Sequence, residues 1–133
     1  MEQATNTVEQ LGAARLGRAV RWTASAHLLA LIAQVALVPA FLAGYAEARP
    51  LHAKNALIAL SLGALLGLLA VANGPSRTGP RLTLIAVAIP ALELLQIWLG
   101  QSGQTTAHVL TGLAIWSLSI VFTVKVWAAV SGP

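Results

Sequence analysis

The stretch LELLQIWLGQSGQTTAHVLTG, residues 92–112, decides the fold. Two strongly apolar runs meet in it, separated by the polar joint GQSGQ (100–104). A Gly/Ser/Gln cluster of this kind is turn chemistry. Working outward, the run before the joint extends from about residue 82 to 99, and the run after it from 107 to 129. Two more apolar runs precede them, at roughly 22–44 and 51–71. The breaks are ARP (48–50) and NGPSRTGPR (73–81). Each run is near the ~20 residues that a helix needs to cross the hydrocarbon core of a bilayer. Short connections make consecutive helices antiparallel neighbours. The expected fold is therefore all-α: one transmembrane domain over residues 1–133, an up-down-up-down four-helix bundle preceded by a segment at 1–21.

Composition agrees. The 133 residues are 57% hydrophobic and 9% charged, with mean hydropathy +0.77. A soluble domain carries about 25% charged residues, so this chain lacks the polar surface to coat a globule in water. It has no cysteine, which excludes disulfides, thiolate metal sites, iron–sulfur clusters and thiol nucleophiles. The net charge of +4 does not indicate nucleic-acid binding, because the cations cluster at helix ends. Arg15, Arg18, Arg21, Arg77, Arg81 and Lys125 fall on one side of the expected bundle, and Arg49 and Lys54 on the other. The positive-inside rule then puts both termini in the cytoplasm, as expected for a bacterial plasma-membrane protein whose uncleaved chain starts at Met1. Residues 8–21 (VEQLGAARLGRAVR) suit a short interfacial helix with its arginines toward lipid headgroups.

Ionisable groups inside a membrane span are costly and point to function. His52 opens the second helix and His108 the fourth, at matched depth on the expected outer side. Glu93, Gln96 and Gly100 approach that level from the third helix, and Arg49, Lys54 and Asn55 flank His52. At 100° per residue, His52, Ala56, Ala59, Gly63 and Leu66 share one face, and His108, Gly112, Ile115 and Ser119 another. The small residues beneath each histidine offer room for a flat apolar cofactor. Two neutral imidazoles from facing helices suit the axial positions of a haem b iron. Arg49 and Lys54 would then meet the propionates, and Glu93, Gln96 or Gln104 would hydrogen-bond a ligating imidazole. Against this, Gly63–Gly67 (GALLG) also reads as a helix-packing face, Glu93 as a hydrogen-bonded buried acid, and each histidine alone as an interfacial residue. His27 lies roughly 9 Å beyond Arg21 along its helix, apart from the other two. With Thr23 and Gln34 it forms a polar stripe suited to a quinone headgroup, a second haem or a hydrogen bond across the bundle. Pro39 and Pro90 are expected to kink their helices.

The runs LQIWLG (95–100) and AHVLTGLAIW (107–116) resemble the junction between the third and fourth helices of haem A synthases. PLHAKNALIAL (50–60) resembles the histidine-led second helix of that family. The resemblance covers about 80 residues over helices two to four. It implies a four-helix bundle with His52 and His108 as haem ligands and Gln96 in the interior. The glutamate close before the family's ligand histidine and its cysteine pair have no clean counterpart; Glu47 stands five residues before His52. The chain also has half the family's length. A looser similarity is to small cytochrome b561-like proteins. Three functions follow as expectations: a bis-histidine membrane cytochrome exchanging electrons with a quinone or a redox partner subunit, singly or as a homodimer; a cofactor-free accessory subunit of a larger respiratory or transport complex; or a haem-modifying enzyme using Glu47 or Glu93.

Overall fold

The computed structural model describes residues 2–129, with side chains from residue 10 onward. It is all-helical over that range: α1 (Glu2–Leu42), α2 (Ala48–Asn73), the short α3 (Pro75–Thr78), α4 (Pro80–Gln101) and α5 (Thr105–Ala128). Four of these are long and apolar enough to cross a membrane, α1 over its part Gln10–Leu42. A long helix stands at each expected run: α2 and α4 extend it by two or three residues at both ends, α5 starts two residues earlier and ends one earlier, and α1 starts far earlier and ends two residues short.

Two departures have local causes. The short interfacial helix expected at residues 8–21 is not a separate element, because α1 continues through it without a break. Gly12 and Gly17 sit within it but neither ends it, since no proline or capping residue follows them. The loop at 73–81 contains a helical turn of its own. Gly74 and Gly79 have φ of 86° and 89°, and each is followed by a proline at the start of a helix. Glycine tolerates the positive φ, and the next proline has no N–H to leave unsatisfied at a helix start. The repeated Gly-Pro pair thus stops and restarts the helix twice. The 102–104 joint closes in the same economical way. Gly103 takes φ 76°, Gln104 N–H donates to Leu99 O at 3.0 Å, and Ser102 Oγ donates to Leu99 O at 3.1 Å.

α1 packs on α2 and α5, and α4 packs on the same two helices. The cross-section is thus a square, with α1 diagonal to α4 and α2 diagonal to α5. Its interior combines alanines with a few large apolar side chains. One apolar cluster joins Val20, Ala24, Leu66, Ala70, Ala86, Phe122 and Val126; a second joins Ala30, Leu31, Ala59 and Ile115. Many large aliphatic side chains face outward: Leu42 is 76% exposed, and Leu68 and Leu84 are each 70% exposed. Lipid tails are as apolar as leucine, so such helices associate by close packing and interhelical hydrogen bonds, not by hiding apolar area.

The backbones of α2 and α4 approach closely at Gly67. A Cβ added at Gly67 would stand 3.1 Å from the Ala86 carbonyl oxygen and 3.7 Å from Val87 Cα. Pro90 lacks the N–H that would bond the carbonyl four residues back. That carbonyl belongs to Ala86, and it is the one turned against Gly67. Pro39 and Pro90 both lie inside continuous helices.

Candidate functional site

Three polar groups, one buried and two half-buried, reach the bundle interior between these helices. The first is a pair across one diagonal. His27 Nε2 on α1 and Glu93 Oε1 on α4 share a hydrogen bond of 2.8 Å, with both side chains almost fully buried at 0% and 3% exposure. The expectation that Glu93 approaches the level of His52 and His108 is therefore corrected: its carboxyl meets His27 and abuts Gly63, which lies eleven residues, or about 16 Å of helix, along α2 from His52. His27 makes the cross-bundle hydrogen bond that was one of its expected roles, and Glu93 is its partner. Glu93 Oε2 and His27 Nδ1 have no hydrogen-bond partner.

The second pair spans the other diagonal. The rings of His52 on α2 and His108 on α5 face each other with centroids 6.4 Å apart and planes at 56°. His108 Nδ1 donates to the backbone carbonyl of Gln96 at 2.8 Å. A carbonyl can only accept, so Nδ1 carries the proton and Nε2 is bare in the neutral ring. The side chains of Glu93, Gln96 and Gln104 were the expected partners of such an imidazole. The main chain of α4 takes that role instead, and Gln104 contributes its carbonyl to the His108 N–H at the start of α5, at 2.9 Å. His52 Nδ1 is buried and unpartnered.

The third group ties α2 to α1. Asn55 Nδ2 donates to Ala30 O at 2.8 Å and to Gln34 Oε1 at 2.6 Å. Asn55 was grouped with the histidine pair, but its amide is spent on α1. Gln34 then lines a cavity of about 10 Å³ together with Glu93 and Gln96. That is about the smallest space that holds one water molecule, given polar partners.

The glycines below the histidines do not leave an open slot. A Cβ at Gly63 would collide with Glu93 Oε2 and lie 3.2 Å from its Cδ; at Gly112 it would lie 2.5 Å from Gln96 Nε2. At Gly100 it would lie 3.0 Å from His108 Nδ1. Each glycine is a notch that admits a polar side chain of a neighbouring helix. The faces predicted from helical spacing are the interior faces, with Ala59, Gly63, Leu66, Ile115 and Ser119 all buried, but their space belongs to Glu93 and Gln96. Arg49 and Lys54 are exposed near His52.

As a test of fit, an imidazole nitrogen ligates a transition metal at about 2 Å and lies roughly 1 Å from its own ring centre, so rings on opposite sides of one metal stand about 6 Å apart. The 6.4 Å separation of His52 and His108 meets that requirement. The hydrogen bond from His108 Nδ1 is the orienting contact that metal-bound histidines characteristically make. Among the described residues no group of three or more His, Cys, Asp or Glu side chains is placed to hold a bare ion; a haem iron needs only two protein ligands. Comparison with protein-family models, curated proteins and solved structures finds no match.

Proposed function

We propose that this chain is an integral membrane electron-transfer protein that binds one haem b between His52 and His108. The observation that carries the reading is the diagonal histidine pair, with its 6.4 Å ring separation and the Gln96 carbonyl fixing the His108 tautomer. The similarity of residues 95–116 to haem A synthases points the same way. In this reading the bundle runs up-down-up-down with both termini in the cytoplasm of a bacterium, and the histidine pair lies near the outer leaflet.

The bound iron would supply one-electron chemistry, and two axial imidazoles leave no open position for oxygen. The chain's own residues do the rest. His52 and His108 supply the ligand nitrogens. The Gln96 carbonyl holds His108 in the tautomer with a bare Nε2. Glu93 and Gln96 fill the notches at Gly63 and Gly112, so a macrocycle is confined to the level of the two rings. There the exposed Arg49 and Lys54 are the cations available to its propionates. A quinone or a redox partner subunit, or a second copy of the chain, would exchange the electron. Glu93 is engaged with His27, which leaves a haem-modifying enzyme without a free buried carboxyl at the histidine pair.

A second reading has its own observation. Every interior glycine facing a polar group is filled by a side chain of this chain, as in a cofactor-free accessory subunit whose polar residues are interhelical ties. An absorption spectrum of the detergent-purified protein, oxidised and then reduced with dithionite, separates the two. Electron transfer through paired histidines requires a Soret band that shifts on reduction, with sharp α and β bands. His52→Ala and His108→Ala should each abolish it. A protein that stays colourless after haem is added refutes the haem reading and leaves the accessory subunit.

A further inference from the structure

At the end of the bundle away from the histidine pair, the N-terminal half of α1, the α2–α4 connection and the end of α5 line an open-mouthed cavity of about 490 Å³. Three of its lining residues are arginines: Arg18, Arg21 and Arg77. No acidic side chain described in the structure lines it. The side chain of Asn73, which is only 8% exposed, also lines it. Its Nδ2 donates to Thr78 Oγ1 at 2.9 Å, and Thr78 Oγ1 donates in turn to Ala70 O at 3.4 Å. Asn73 Oδ1 has no partner. A buried amide oxygen left unpaired costs free energy that a donor from a ligand would recover.

The cavity therefore asks for two things at once: an anion for the arginines and an O–H or N–H donor for Asn73 Oδ1. Guanidinium groups match phosphoryl oxygens in a planar, bidentate way. We propose that this cavity binds a phosphate ester carrying a hydroxyl beside the phosphoryl group, the phosphate toward Arg18, Arg21 and Arg77 and the hydroxyl toward Asn73 Oδ1. A glycerol-type phospholipid headgroup and a small soluble phosphate ester share this chemistry. The Trp22 and Trp127 rings, edge-to-face at 5.5 Å, stand next to Arg21. Such aromatic pairs with one wet edge are typical of the membrane–water interface.

The test is native mass spectrometry of the full chain released from detergent and titrated with phosphatidylglycerol, phosphatidylcholine or glycerol phosphate. One tightly held copy of phosphatidylglycerol is expected, with phosphatidylcholine at least tenfold weaker, because its headgroup lacks a donor and brings a cation to the arginines. Arg18→Gln combined with Arg77→Gln should weaken binding by about tenfold or more. Asn73→Asp should weaken it comparably, since the new carboxylate repels the phosphate; the amide donor to Thr78 Oγ1 is lost, and the Thr78 hydroxyl can turn from Ala70 O to donate to the carboxylate instead. Arg81→Gln removes an exposed cation outside the cavity and should change nothing. Competition by glycerol phosphate would support the site with a soluble ester as its source, and its absence the site with lipid as its source. Equal binding of the two lipids overturns the proposal. So does full affinity in both the double variant and Asn73→Asp, with circular dichroism confirming that each is folded.

Discussion

The contact between Gly63 and Glu93 offers a quantitative test of the bundle's interior. Gly63→Ala would place a methyl group against Glu93 Oε2, 3.2 Å from Glu93 Cδ and 3.3 Å from Ile89 Cγ2. Glu93 cannot swing away freely, because it is 3% exposed and held by His27 at 2.8 Å. Overpacking of this kind costs about 1–3 kcal/mol. If the His27 bond breaks as well, a further ~0.6 to ~1.7 kcal/mol is lost, the range for interhelical hydrogen bonds in membranes. Replacing a helical glycine by alanine returns up to ~1 kcal/mol. The net expectation is a loss of roughly 1–4 kcal/mol. In a Glu93→Ala background the obstructing carboxyl is gone, so the same substitution should become neutral or slightly stabilising. Gly67→Ala is the contrast: it meets the Ala86 backbone at 3.1 Å, so trimming Glu93 cannot relieve it. Unfolding in mixed micelles with increasing dodecyl sulfate, followed by far-ultraviolet circular dichroism, measures all five variants. Equal cost for Gly63→Ala with and without Glu93, within about 0.5 kcal/mol, would refute the reasoning.

Other substitutions test separate contacts by the same assay. Asn55→Leu removes both bonds to α1 and should destabilise by about 1–2 kcal/mol. Gly79→Ala forces a non-glycine residue to φ near 89° and should cost about 1–3 kcal/mol. Gly12→Ala, in an exposed part of α1 where an added Cβ meets nothing within 4 Å, should stabilise by about 0.5–1 kcal/mol; loss of stability there would show that α1 is not a continuous helix at that point.

Hydropathy and turn chemistry reveal the four long helices, because crossing a bilayer requires some 20 apolar residues. Helical spacing also reveals the interior faces below His52 and His108. Partner choice across the bundle is less legible. His27 and Glu93 are 66 positions apart, and whether they meet depends on which helices are diagonal and how each is rotated. Residue counting put Glu93 at the level of His52 and His108, whereas its carboxyl meets His27 and Gly63. A signal did exist: His27 and Gln34 stand seven residues apart on one face, and Asn55 binds the second of them. The small residues were legible as space but not as filled space. Their occupants, Glu93 and Gln96, are long flexible side chains whose reach is set by packing. The GALLG stretch is what its packing interpretation implies, since Gly63 and Gly67 both face α4. The α3 turn was hidden inside a loop whose Gly-Pro pairs read only as helix breakers.

The length of α1 has a mechanical consequence. Its 41 residues span about 60 Å at 1.5 Å per residue, against a hydrocarbon core of about 30 Å. The helix is thus about twice as long as such a core is thick, and it runs without a break from its N-terminal half, which packs on the α2–α4 connection and the end of α5, to His27 and Gln34. A push or twist applied to that half would meet no flexible joint before His27 and Gln34. Turning the shaft about its axis would withdraw His27 from Glu93 as a key withdraws a bolt.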